Sequence, residues 1–236
     1  MPLVRLPDGT LVLFAHVPRC GGTSVERHLA SRFGPLALLD HSHYAREGTP
    51  WSASSPQHAE AEVLARLVPR EWIALSFAVV RHPAARLASV FAYQRDWEER
   101  ILEETPFLDW LEGLDPRAEP PRYDNHARPM TDLVPRASVV FRLERGMRPV
   151  LDWIDALARE RGSLAGMGRA NDRAAYLERR AKREAEAERA PSEPPPAPKV
   201  GPEERDLIAA LYAEDFERFG YDPETIPPSV ARGGRA

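Results

Sequence analysis

The chain of 236 residues holds a single cysteine, Cys20. An internal disulfide is therefore excluded, a thiolate zinc cluster lacks its ligands, and a reducing compartment suits the composition. No apolar run approaches the roughly 18–20 residues that cross a bilayer. The first residues, MPLVRLPDGT, lack the apolar core of a signal peptide. These absences predict a soluble, cytoplasmic protein without a transmembrane segment. Excess positive charge is also missing: the net charge of −4 gives no bulk attraction to nucleic acid, and no such partner is expected. There is no internal repeat. A hydrophobic content of 43% supports a sizeable core, and the length fits one domain spanning 1–236.

What is present is organised around Leu11–Phe33, LVLFAHVPRCGGTSVERHLASRF. The apolar run Leu11–Val17 meets a tight turn, Pro18 to Ser24, and an amphipathic stretch follows with Val25, Leu29 and Phe33 at helical spacing. Strand, glycine loop and helix form a layout that holds an anion. The first turn of a helix leaves backbone N–H groups unpaired at the positive end of its dipole. Paired glycines let a phosphate or sulfate come close to the backbone. Arg19 adds a fixed charge, and Thr23 and Ser24 add hydroxyl donors.

Along the chain, Leu3–Leu6 and Thr10–Val17 around Pro7-Asp8-Gly9 predict a hairpin. Leu36–Leu39 reads as a second strand, and 46–58 as a surface loop. A helix is expected over Glu60–Val68 and a central parallel strand over Ile73–Val80. A long helix follows, carrying Leu87, Val90 and Phe91 and running on to Ile101. Further helices are expected at Phe107–Leu114 and Met147–Arg161, with a short strand at Val139–Arg142 between them. Residues 173–200 read as a charged, solvated helix and a proline-rich linker inserted in the domain. Pro202–Phe219 reads as a final amphipathic helix. The tryptophans fall mostly at core positions. Alternating short strands and helices mean an α/β fold with a mostly parallel sheet, whose strand ends should share one crevice.

Three strand ends carry polar clusters. Val17 precedes the glycine loop, Leu39 precedes His41 and His43, and Val80 precedes Arg81, with Ser89 eight residues further on. The loop is not a Walker A motif, because that motif places Lys and Ser/Thr after its last glycine, whereas Arg19 comes before the pair. No hydroxyl–carboxylate pair for Mg²⁺ is evident. An anion handled without a metal is expected.

These residues resemble the PAPS-dependent sulfotransferases, particularly their carbohydrate or Golgi-type branch and its bacterial members. HVPRCGGTSV is similar to that family's phosphosulfate loop, and FAVVRHPAARLASVFAY, Phe77–Tyr93, to its site for the nucleotide 3′-phosphate. DNHARPMTDL, Asp124–Leu133, and LYAEDFERFGY, Leu211–Tyr221, are similar as well. The resemblance implies a P-loop-like three-layer α/β fold, PAPS (3′-phosphoadenosine-5′-phosphosulfate) as donor, and a hydroxyl acceptor, with carbohydrate first among the candidates. It implies that Arg19, Cys20, Gly21, Gly22, Thr23 and Ser24 bind the phosphosulfate, and that Arg81 and Ser89 bind the 3′-phosphate. His41-Ser42-His43 is similar to the His-x-His of the 2-O-uronyl branch, which makes His43 the expected base with His41 in support. A histidine whose proton equilibrium lies near neutrality suits that role. His126 and Arg128 are expected to face the acceptor, with His126 a second candidate base.

Two departures stand out. Arginine at Arg19 replaces the usual lysine, a planar fork for a point charge. Cys20 replaces threonine and reads as a small buried filler. Two rival readings remain open from the residues alone: a related kinase or NTPase, and a member that binds nucleotide or glycan without turnover.

Overall fold

The computed structural model describes residues 1–44, 50, 52–162 and 197–228. Most of the expected 173–200 insertion lies outside the described residues; 197–200 have no regular secondary structure. Four short strands form one sheet: β1 (Leu3–Arg5), β2 (Leu11–Ala15), β3 (Ile73–Val80) and β4 (Val139–Arg142), in that spatial order. β1 and β2 are the expected hairpin, paired antiparallel with Leu3 opposite Leu13. β2, β3 and β4 run parallel. β3 is paired on both sides and buries Phe77–Val80, as its unbroken apolar run requires. Parallel pairing brings the carboxyl ends of β2, β3 and β4 to one side of the sheet.

Helices flank this sheet. α1 (Gly22–Phe33) packs on α6 (Arg148–Arg161), with Val25, Leu29, Phe33, Val150 and Ile154 buried. Asp155 of α6 accepts hydrogen bonds from His28 and Arg32 of α1 at 2.7 Å each. α3 (Pro83–Asp96) and α4 (Phe107–Glu112) both meet α7 (Pro202–Leu211), while α8 (Ala213–Phe219) meets α5 (Met130–Leu133). α2 is Ala61–Leu67. No helix among the described residues is long and apolar enough to cross a membrane.

Several expectations are corrected. Leu36–Leu39 is not a strand, and only Ala37 bridges to Leu3. α3 stops at Asp96 rather than running on to Ile101, and Glu99 beyond it adopts a left-handed φ of 51°. The final helix is two helices, broken at Tyr212 (φ −122°, ψ 29°). Tertiary bonds favour that break. Tyr212 Oη donates to the Ala127 carbonyl at 2.6 Å, and Asp215 accepts from the N–H groups of Met130 and Thr131 at 2.9 and 2.8 Å. Trp72 and Trp97 are exposed rather than in the core. The supposed surface loop buries Ser55, Gln57 and His58, because Asp124, Asn125 and Asp40 supply their hydrogen-bond partners.

Candidate active site

β2 delivers the chain into the glycine loop. Arg19 (φ 64°) and Gly21 (φ 82°) are left-handed, and α1 begins at Gly22. A Cβ on Gly22 would lie 1.9 Å from Nε2 of His16, so only glycine lets that ring pack under the helix start. Arg19, Gly21, Gly22, Thr23 and Ser24 line a cavity of about 1340 Å³ that Arg81 and Ser89 also line. Arg19 Nε donates to Ser89 Oγ at 3.1 Å, and its guanidinium stands 4.4 Å from the centre of the Tyr93 ring. The glycine loop and the Phe77–Tyr93 stretch, two of the four that carry the family resemblance, therefore touch. Cys20 is the exception: its side chain is buried away from the cavity, and burial pushes the thiol up to about 12. It is an unreactive filler with no side-chain role toward an anion.

The opposite wall is a group of histidines. His16 Nδ1 donates to Glu26 Oε1 at 2.6 Å, and His58 Nδ1 donates to Asp124 Oδ2 at 2.7 Å. The rings of His16 and His126 lie 4.8 and 5.0 Å from that of His58, each edge to face. His126 Nδ1 accepts from the Gln94 amide at 3.0 Å. Burial, and secondarily the charge of His58, hold His126 well below the ordinary histidine value. Burial likewise brings His16 down to about 4, so both rings are neutral near pH 7. Asp124 behaves oppositely. Burial would raise its pKa, but hydrogen bonds from His58 and Ser55 outweigh it and keep the carboxyl ionised. Asp124 sits in a run of three left-handed residues, Tyr123 to Asn125, that aims its carboxylate at His58.

His58 and Asp124 escaped the sequence reading, as did His16 and Glu26. His16 lay inside the recognised loop stretch; His58 had no motif to mark it. Of the expected site residues, His41 and His126 line the cavity. His43 lines it too but is buried, with Nε2 donating to the Ser52 carbonyl at 3.0 Å and Nδ1 4.0 Å from Asp40. Arg128 does not face the cavity. It is buried and bonds Asn125, Glu60 and Glu119, which fasten the 119–128 segment to the start of α2. Among the described residues, His58, Asp124 and His126 are the three whose ligand-type atoms lie within 4.8 Å of one another. The Nδ1 atoms of both histidines are already engaged with Asp124 and Gln94.

A mostly parallel sheet flanked by helices thus carries, in one cavity, a glycine loop at a helix start and a carboxylate-held histidine. The sulfotransferase family model matches residues 7–222, and the chain belongs to that family. Its general chemistry is sulfuryl transfer. Comparison with curated proteins and with solved structures gives no match.

Proposed function

We propose that this chain transfers a sulfuryl group from PAPS to a hydroxyl of an acceptor, with a carbohydrate the favoured class. The observation that carries this reading is the shared cavity, in which the loop, Arg81 and Ser89 stand beside the His58–Asp124 pair. The loop N–H groups and Arg19 would hold the phosphosulfate, and Arg81 and Ser89 the 3′-phosphate. Among the described residues Arg81 makes no ion pair, which leaves its charge for an anion.

In this scheme Asp124 holds the proton of His58 on Nδ1 and leaves Nε2 bare. Nε2 takes the acceptor's hydroxyl proton as that oxygen bonds to sulfur and the bond from sulfur to the phosphate oxygen breaks. Asp124 stabilises the imidazolium so formed. Arg19 and the α1 N-terminus stabilise charge on the sulfuryl oxygens and the departing phosphate. His58 thus takes the role first expected of His43, whose Nε2 is occupied by Ser52. His41, exposed at the rim, would contact the acceptor.

A melting-temperature comparison tests the reading. A ligand at a hundred times its Kd stabilises the folded state by about 2.7 kcal/mol. The bisphosphate product 3′-phosphoadenosine-5′-phosphate should raise the melting temperature without metal, and ATP with Mg²⁺ should not. The reverse result would favour a kinase or NTPase and reject the proposal.

A further inference from the structure

A second cavity of about 640 Å³ lies along β4, the edge strand of the sheet, and shares no lining residue with the first. Four of the residues lining it are arginines, Arg136, Arg142, Arg145 and Arg218, and none is a carboxylate. Many arginines elsewhere are paired with acids, among them Arg32 with Asp155, Arg117 with Asp132, Arg128 with Glu60 and Arg161 with Asp8. Among the described residues none of these four is in an ion pair.

Two of the four are fixed by neutral groups. Arg142 Nη2 donates to the carbonyls of Phe219 and Gly220 at 2.6 and 2.9 Å, and its guanidinium stacks 4.7 Å from the Tyr221 ring centre. Arg218 donates to the carbonyls of Thr131 and Pro135 at 3.0 and 2.9 Å. Gly220 (φ 62°) permits this approach, since a Cβ there would lie 3.0 Å from Arg142 Nη2. Main-chain carbonyls orient a guanidinium without neutralising it. Arg218 registers the surplus: burial first, then the positive charge of Arg136, lower its pKa against the opposing pull of Asp215. Arg136 and Arg145 are exposed at the mouth and can close on a ligand. Val140 and Phe219 give the cavity apolar wall.

We propose that this cavity is a second oxyanion site, taking the sulfate or phosphate ester group of a ligand whose carbon skeleton rests on Val140 and Phe219. Guanidinium forks match the oxygens of a tetrahedral ester in paired hydrogen bonds, which is the reason for arginines here. The volume suits one or two sugar-sized rings. The site stands on its own residues and does not depend on the transferase reading.

The test is calorimetric titration of the full chain with a monosaccharide sulfate ester, the matching phosphate ester, the unesterified sugar, and inorganic sulfate and phosphate. Each is run with saturating 3′-phosphoadenosine-5′-phosphate to fill the donor side of the first cavity. The double variant Arg136→Ala/Arg145→Ala is run alongside, with its melting temperature as the check on folding. The expected result is ester binding that is at least about tenfold weaker in the double variant, while any binding of the free sugar, which the acceptor side of the first cavity can take, is the same in both proteins. Preference for one ester identifies the ligand class. Equal affinity in the folded double variant, or no ester binding, overturns the proposal. Inorganic ions binding as tightly as the esters would mean an adventitious ion only and also overturn it. The double variant decides this whether or not the nucleotide binds, and failure of the nucleotide to bind would count only against the transferase reading.

Discussion

The two walls of the main cavity are built in opposite ways. The loop wall is one contiguous stretch, made largely of backbone, and it is open to the cavity at Thr23 and Ser24. The histidine wall is gathered from His16, Glu26, Ser55, His58, Asp124 and His126 and is largely buried. An anion cradle needs N–H groups and a close approach, which one turn and one helix start provide. A base needs a fixed tautomer and a low-dielectric setting, which requires partners from distant parts of the chain. The walls meet where His16 packs on Gly22.

That junction gives the largest expected effect on the fold. Gly22→Ala drives a methyl into the His16 ring and should cost about 3 kcal/mol, the upper range for overpacking. Thermal unfolding would show it, together with loss of nucleotide binding; a variant as stable as wild type would separate the walls. Next, Asp124→Asn should lower kcat by roughly a hundredfold, because an amide no longer fixes the His58 tautomer. Nucleotide affinity, which belongs to the other wall, should be unchanged.

The histidine wall also sets an acid sensitivity. His16 and His126 are depressed in the folded protein, so the unfolded chain binds more protons below its ordinary histidine pKa of about 6.5. Their contribution to stability is full above that pH and is lost as pH falls toward about 4 for His16. Asp124, also depressed, adds a further loss below about pH 4. Melting temperature should fall steadily from pH 7 to pH 4, and a flat profile would contradict the buried neutral histidines. The smallest effect is on the loop wall. Cys20→Ala should leave kcat within about twofold and cost roughly 1 kcal/mol for the lost sulfur contacts; a large activity loss would show that the cysteine faces the ligand.

The same contrast explains what was legible in the sequence. The hairpin, β3, β4 and the glycine loop follow from local apolar runs and turn residues, and they appear where expected. Arg81 and Ser89 could be placed because a strand end and one helix fix them relative to the loop. His58 was hidden in a Ser/Pro-rich stretch that reads as surface. It is buried against His16 and His126, and Asp124, far along the chain and held left-handed, reaches back to it. Arg128 misled for the complementary reason: a lone arginine beside a histidine looked like an anion ligand, but Glu60 and Glu119 had already claimed it. The break at Tyr212 was invisible for a similar reason, since helical periodicity carries across it and the bonds that favour it, to Ala127, Met130 and Thr131, come from a distant segment.

The most direct measurement compares His58→Ala with His43→Ala for turnover of labelled PAPS at saturating donor, with nucleotide affinity measured for each. A positioned base contributes about 10²–10⁴-fold. The account predicts a kcat loss of that size in His58→Ala, a loss of at most about tenfold in His43→Ala, and unchanged nucleotide affinity in both. Full activity in His58→Ala with collapse in His43→Ala would contradict it.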